Sequence, residues 1–240
     1  MKLRLILPVY CLFLLCVAAW SEEPTSEKER SPVPENINEK FLDPNADADE
    51  WVNRFETESR EVFANREKIV KALGLKPGER IADVGAGTGL FSALFAEAVG
   101  KEGKVYAVDI SPTLIQFMKT RFRGEKWGQV EVVFSKEDSV ELPEASVDAV
   151  YICDTYHHFE YHQPTLASIY QALAPGGELF VIDFERIPGE SREWILGHVR
   201  AGKEGFRSEI EKAGFEFKEQ IELSGLEENY FLRFEKPETP

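Results

Sequence analysis

The sequence predicts an α/β domain built on a doubly wound, mostly parallel seven-stranded sheet that ends in an antiparallel hairpin. Three observations predict it. Short apolar runs alternate with helix-like segments from residue 81 to residue 213, the pattern of strands joined by helical crossovers. A glycine-rich loop follows the first of these runs and opens the first helix, the context in which such a loop binds a ligand. Two alternating segments, 215–223 and 230–234, are separated only by residues 224–229. That is too short for a parallel crossover, so they should pair as a hairpin.

The elements follow in order. Trp51, Phe55, Val62, Phe63, Ile69, Val70 and Leu73 have the spacing of apolar helix faces and predict one or two helices. Gly74 and the Lys76-Pro77-Gly78 turn end them. Strands are predicted at 81–84, 105–109, 130–134, 147–153 and 178–184. Helices are predicted at 90–99, at 113–122 behind Ser111-Pro112, at 164–173 and at 203–213. The turn Ala174-Pro175-Gly176-Gly177 should close the third of these helices, and Gly214 should cap the last.

Two segments precede this domain, which is expected over residues 50–236. Residues 1–20 open with Lys2 and Arg4, continue in an apolar run and are followed by Glu22 and Glu23. This is the layout of a secretory signal peptide, or of an uncleaved N-terminal anchor. Either places the body outside the cytoplasm, in the periplasm, secreted or held at a membrane. Residues 21–49 are rich in Glu, Ser, Pro and Asn and predict a disordered acidic linker.

Composition narrows the function. With 240 residues the chain holds one sizeable domain. The net charge is −15, and because Lys2 and Arg4 are the only charges in the first twenty residues, the remainder carries −17. So acidic a surface repels phosphate backbones, which argues against a nucleic-acid partner. Cys11 and Cys16 lie in the apolar run, leaving Cys153 alone in the body. This excludes a disulfide within the body and gives no zinc-type cysteine pair, so no metal is expected.

The segment Asp83-Val84-Gly85-Ala86-Gly87-Thr88-Gly89 carries the chemistry. Its glycines allow a sharp turn and close approach of a ligand to the backbone. Asp109 ends the second strand, twenty residues beyond Gly89, where a carboxylate can accept the hydroxyls of a ribose. Asp138 follows the third strand on the same carboxyl edge of the sheet. A nicotinamide fingerprint would want glycine where this chain has Leu90, and an acid two residues before the first glycine is unusual there.

These motifs resemble the Rossmann-like class I S-adenosylmethionine-dependent methyltransferases, in the branch that includes the ubiquinone/menaquinone-biosynthesis type. The resemblance runs from about Lys68 to Phe217, also through Leu142-Pro143, Ser146-Val147-Asp148 and Leu173–Leu179. It implies S-adenosyl-L-methionine as cofactor and methyl transfer as activity. It also implies that Asp83, Gly85, Ala86, Gly87, Thr88 and Gly89 wrap the cofactor's amino-acid part. Asp109 would hold the ribose and Ile110 would pack on the adenine. Asp138 would read the adenine amino group, with Ser139 beside it. S-adenosylmethionine is made in the cytoplasm, so export and this cofactor stand in conflict.

The fourth strand runs into Asp154-Thr155-Tyr156-His157-His158, and His162 follows closely. In this fold that end faces the transferred methyl group. Asp154 with His157 or His158 is therefore the candidate acid/base or acceptor-orienting pair; packing beneath the cofactor is the other reading of these histidines. Asp183 ends the fifth strand, and the segment around His198 is a candidate cover. The acceptor should be a small or medium organic molecule; the sequence does not name it, and oligomeric state is not legible. An exported, non-catalytic methyltransferase-like binding or scaffold protein and an NAD(P)-dependent oxidoreductase are the alternatives.

Overall fold

The computed structural model describes residues 29–238. Four helices lead in: α1 (Glu39–Leu42), α2 (Ala48–Phe55), α3 (Glu61–Ala64) and α4 (Arg66–Leu73). The α/β alternation follows as β1 (Arg80–Val84), α5 (Leu90–Val99), β2 (Lys104–Asp109), α6 (Pro112–Arg121), β3 (Val130–Phe134) and β4 (Val147–Cys153). It continues as α7 (His162–Ala172), β5 (Leu173–Phe184), α8 (Glu193–His198), α9 (Lys203–Lys212), β6 (Glu216–Gln220) and β7 (Asn229–Glu235).

The strands form one sheet in the order β3-β2-β1-β4-β5-β7-β6. β7 runs antiparallel to both neighbours and the other strands run one way, so the doubly wound sheet with its antiparallel C-terminal hairpin is present as expected. Strands buried on both faces read as unbroken apolar runs. Val150, Tyr151 and Ile152 in β4 and Leu179–Ile182 in β5 are such runs and are fully enclosed. One face of the sheet packs on Leu166, Ile169, Phe206 and Ile210 from α7 and α9. The other packs on Ile69, Leu73, Phe91, Phe95 and Val99 from α4 and α5. Ser111 accepts a hydrogen bond from the Leu114 amide (3.4 Å) with Pro112 next to it, which starts α6 where the sequence places it.

Several expectations are corrected. The expected disordered linker is packed against the domain over residues 29–49. Ser31, Val33, Ile37 and Asn38 are buried, and the Ser31 amide donates to the Glu160 carbonyl at 2.6 Å. Few apolar groups suffice because backbone and polar side chains carry the contact. The rest of that linker and the expected signal or anchor over residues 1–20 lie outside the described residues. Three helices, not one or two, occupy 48–73. β5 begins at Leu173, where the end of a helix and then a turn over 174–177 were expected, because Leu173 pairs with Val147 across an irregularity and Gly176 and Gly177 bond to Lys236. Among the described residues no helix is long and apolar enough to cross a membrane.

Candidate active site

The strand order reverses between β1, which continues to β2, and β4, which continues to β5. At such a switch point the loops leaving the carboxyl ends of the strands diverge and leave a crevice for a ligand. Here the crevice is a cavity of about 860 Å³, within the roughly 300–1,000 Å³ of small-molecule sites. Its floor is the loop after β1 and its far wall is the turn after β4. The leading segment, including Phe41, Trp51 and Phe55, forms the remaining wall.

The floor is built by loops that pack closely on one another. Gly85 has φ +75°, and a Cβ there would lie 2.3 Å from Thr155 Cγ2; the crossing of the β1 and β4 loops therefore requires glycine. The Gly87 amide donates to Asp109 Oδ2 (2.8 Å) and the Ser111 amide to Asp109 Oδ1 (2.8 Å), so one carboxylate ties together the loops after β1 and β2. Burial pushes the Asp109 carboxyl up to about 6, against the pull of these amides. Asp83 is buried at the end of β1 and accepts from Ser92 Oγ at 2.6 Å. Burial pushes it up to about 7; the Ser92 hydrogen bond opposes this and nearby Asp109 adds to it. Thr88 Oγ1 donates to Glu56 (2.7 Å), and Arg121 bonds both Glu56 (2.6 Å) and the Thr88 carbonyl (3.1 Å). These bonds latch the glycine loop to the end of α2.

Asp154 leaves β4 with φ +48°, a strained setting that Asp tolerates better than most residues and that surrounding bonds must hold. Its amide donates to the Ile182 carbonyl, and its carboxylate accepts from Arg60 Nη2 (2.5 Å) and Asn229 Nδ2 (2.6 Å). Burial raises its pKa while Arg60 lowers it. Arg60 is delivered by α3, which is clamped to the start of β7. Glu61 accepts the amides of Glu227, Glu228 and Asn229, and Asn65 bonds the Gly225 carbonyl. Asp154 is bonded to Arg60 and Asn229 and lines the same cavity as His157 and His158. His157 pairs with Asp183 (Nδ1 to Oδ1, 2.8 Å), and Asp183 also accepts the His157 and Phe184 amides. Cys153 lines the cavity, but burial pushes its thiol up, which makes it a neutral wall and not a nucleophile.

Along the wall from the leading segment, Phe41 stacks on Trp51 with ring centroids 4.5 Å apart, Trp51 meets Phe55 at 5.3 Å, and Phe41 meets the edge of His158 at 5.2 Å. Arg60 lies over Phe55. These aromatic side chains form an apolar part of the cavity wall. Burial, with His157 and His198 adding, holds the His158 imidazole well below its usual pKa.

Of the residues expected to contact the cofactor, Asp83, Gly85, Ala86, Gly87, Thr88, Asp109, Ile110 and Ser139 line this one cavity. Gly89 (φ +78°) is the N-cap of α5. Asp138 lines a neighbouring cleft with Leu42, Ile110 and Phe134 and is absent from the main cavity wall. His157 and His158 line the cavity with Asp154. His162 points elsewhere, sharing a hydrogen with Ser31 Oγ (2.7 Å), while His198 from α8 takes the third place. Sequence spacing alone missed Asn38, Glu56, Arg60, Arg121 and Asn229, all distant in the chain from the motifs they serve. The apolar periodicity around Trp51 and Phe55 was the one signal toward this apolar wall.

Residues 82–181 match the family described as a methyltransferase domain. The ubiquinone/menaquinone biosynthesis C-methyltransferase UbiE of Hydrogenovibrio crunogenus is 29% identical over 119 residues, covering 49% of this chain and 47% of that protein. The protein of the same name from Vibrio cholerae is 30% identical over 114 residues, 47% of this chain and 44% of that one. The chain thus spans just under half the length of these curated relatives. Among solved structures, a SAM-dependent methyltransferase from Aquifex aeolicus superposes with a TM-score of 0.69 at 23% identity, covering 79% of this chain and 98% of that one. That likeness is one of fold.

Proposed function

We propose that the chain, whose residues 82–181 match a family described as a methyltransferase domain, transfers a methyl group from S-adenosylmethionine to a small or medium organic acceptor. The observation that carries this reading is the pair of buried carboxyls, Asp83 and Asp109, both raised in pKa and both in the wall of the switch-point cavity. When bound, the cofactor supplies an electrophilic methyl group on a sulfonium. Asp83 suits the ligand's ammonium group, because a cation beside a buried carboxyl restores its ionised form. Asp109 accepts the Gly87 and Ser111 amides, with the Ile110 amide also acting on it, and keeps lone-pair capacity for a ribose hydroxyl. Ile110 and Leu114 offer an apolar surface beside Asp109, suited to a flat base.

On the acceptor side the chain's own work is alignment and exclusion of water. The Phe41, Trp51 and Phe55 rings are an apolar part of the cavity wall. Asp154 is a fixed, ion-paired carboxylate, suited to orienting an acceptor and less suited to taking a proton. The test is calorimetric titration of the full chain with S-adenosylmethionine and with S-adenosylhomocysteine. Saturable one-to-one binding that Asp109→Ala abolishes is the expected result. A folded protein that binds neither overturns the reading.

We further infer export or N-terminal anchoring from the basic, apolar, then acidic order of the first residues. A C-terminal tag followed by cell fractionation tests it. Full-length, uncleaved protein in the cytosol overturns it.

A further inference from the structure

The chain has four histidines, and three of them meet on one wall of the cavity. His157 and His158 sit on the short 3-10 turn after β4, and His198 on the last turn of α8. One ring nitrogen from each lies within 4.8 Å of the other two. The rings stand edge to face, with centroids 5.2 Å apart for His157–His198 and 5.1 Å for His158–His198.

The neighbours of two of these rings fix which nitrogen is free. An ionised Asp183 can only accept, so the neutral His157 tautomer that fits it carries its proton on Nδ1 and presents the lone pair of Nε2. Asn38 donates its amide nitrogen to the His158 carbonyl (3.0 Å) and to Glu160 (3.1 Å). Its oxygen is therefore the atom facing His158 Nδ1 at 3.0 Å, and His158 likewise presents the lone pair of Nε2. A carboxylate or carbonyl oxygen behind the distal nitrogen is the arrangement that orients metal-ligating histidines. Imidazole lone pairs crowded together repel one another unless a cation or a shared donor lies between them.

We propose that His157, His158 and His198 bind a divalent transition-metal cation of the zinc type, with a further coordination position open to the cavity. Three imidazoles and no carboxylate or thiolate favour zinc over magnesium or calcium, and three protein ligands with one open position are the pattern of reactive zinc sites. Zn–N bonds of about 2.1 Å in a tetrahedral site set nitrogens about 3.4 Å apart. The three ring nitrogens, now within 4.8 Å of one another, would have to close by up to about 1.4 Å through side-chain rotation of the three histidines. The open position faces the same cavity as Asp109 and Asp154. There a hydroxyl or thiol of an acceptor would lose its proton to solvent on binding the cation. That last step rests on the methyl-transfer reading; the metal site does not.

The test uses the full chain stripped of metal with a chelator. Zn²⁺ is titrated by calorimetry and Co²⁺ by its visible absorption. One-to-one binding is expected, with the intense visible bands of a low-symmetry cobalt site. His198→Ala should weaken binding at least a hundredfold, and Asp183→Asn about ten- to a hundredfold through the lost orientation of His157. His162→Ala, which leaves the cluster intact, should change nothing. His198 is only partly buried, so its substitution spares the fold, and a thermal melt checks this. Zinc binding equal in wild type and His198→Ala, or lost in His162→Ala, overturns the site. Binding of S-adenosylmethionine, measured on the same metal-free samples, separates the two readings. Methionine-ligand binding without zinc binding defeats only the metal site, and zinc binding without it defeats only the methyl-transfer reading.

Discussion

Asp83→Asn separates two opposed demands on one buried carboxyl. Without ligand, burial raises the Asp83 pKa from 3.8 to about 7. The folded chain then holds this proton to higher pH than the unfolded chain does. The stability Asp83 contributes is therefore full below about pH 4 and is lost as pH rises toward 7. With those two values, linkage gives a destabilisation of about 2 kcal/mol at pH 5 and about 4 kcal/mol at pH 8, a difference of about 2–3 kcal/mol. Asparagine does not titrate. Whatever its amide costs for want of a partner, about 1–3 kcal/mol, is the same at both pH values and cancels in the difference. Relative to wild type, the variant should therefore gain about 2–3 kcal/mol between pH 5 and pH 8, or roughly 4–12 °C in melting temperature for a chain of this size. Circular-dichroism melts of both proteins at the two pH values, with and without S-adenosylmethionine, read this directly. The same substitution should erase the ligand-induced rise in melting temperature. In wild type that rise should grow from pH 5 to pH 8, as the ligand's ammonium meets an ionised Asp83. Melting temperatures that run parallel with pH, or an undiminished ligand shift in the variant, would refute the reasoning.

Three further outcomes follow from the same geometry. Gly85→Ala drives a methyl group into Thr155 at a left-handed φ and should cost more than about 2 kcal/mol in urea titrations; adding Thr155→Gly should return part of that loss. Arg60→Ala removes the cation from buried Asp154 and should cost about 3–5 kcal/mol, most of it recovered by Arg60→Ala with Asp154→Asn in a double-mutant cycle. Trp51→Ala removes the ring stacked between Phe41 and Phe55. Stopped-flow dissociation of S-adenosylhomocysteine should then quicken about tenfold, equivalent to about 1.4 kcal/mol of contact with this wall.

The parts of this protein legible in sequence are those set by local or strictly periodic constraints. β4 and β5 read as strands because both faces are buried, and β6–β7 reads as a hairpin because six residues cannot hold a crossover. Asp83, Gly85 and Asp109 were legible because strand ends and the tight turn fix their positions within a short stretch of chain. The partners of Asp154 were not, because Arg60 and Asn229 stand 94 and 75 residues away and sequence spacing says nothing across such distances. His162 looked like a member of the histidine group because it is near in sequence. α7 turns it toward Ser31 instead, and α8 folds His198 back onto the cavity. Residues 29–49 read as a tether because their apolar residues, Val33, Ile37, Phe41 and Leu42, are sparse and aperiodic; the contacts that hold them are hydrogen bonds such as Asn38 to the His158 carbonyl.

The charge of the cavity argues for which kind of ligand this fold accommodates. Asp83, Asp109 and Asp154 all project into one enclosed space, and burial raises the pKa of each. Arg60 offsets Asp154, and the backbone amides of Gly87 and Ser111 offset Asp109. Asp83 has the Ser92 hydroxyl and, among the described residues, no cation to match. A nicotinamide dinucleotide would bring a doubly charged pyrophosphate to this loop and add repulsion to an already unfavourable burial. A ligand with an ammonium and a sulfonium brings the missing positive charge to the carboxyl that lacks it. The energy withheld from folding at Asp83 then returns as binding. Competition by NAD in the calorimetric titration is accordingly expected to be absent, and measurable competition would sink this electrostatic account of selectivity.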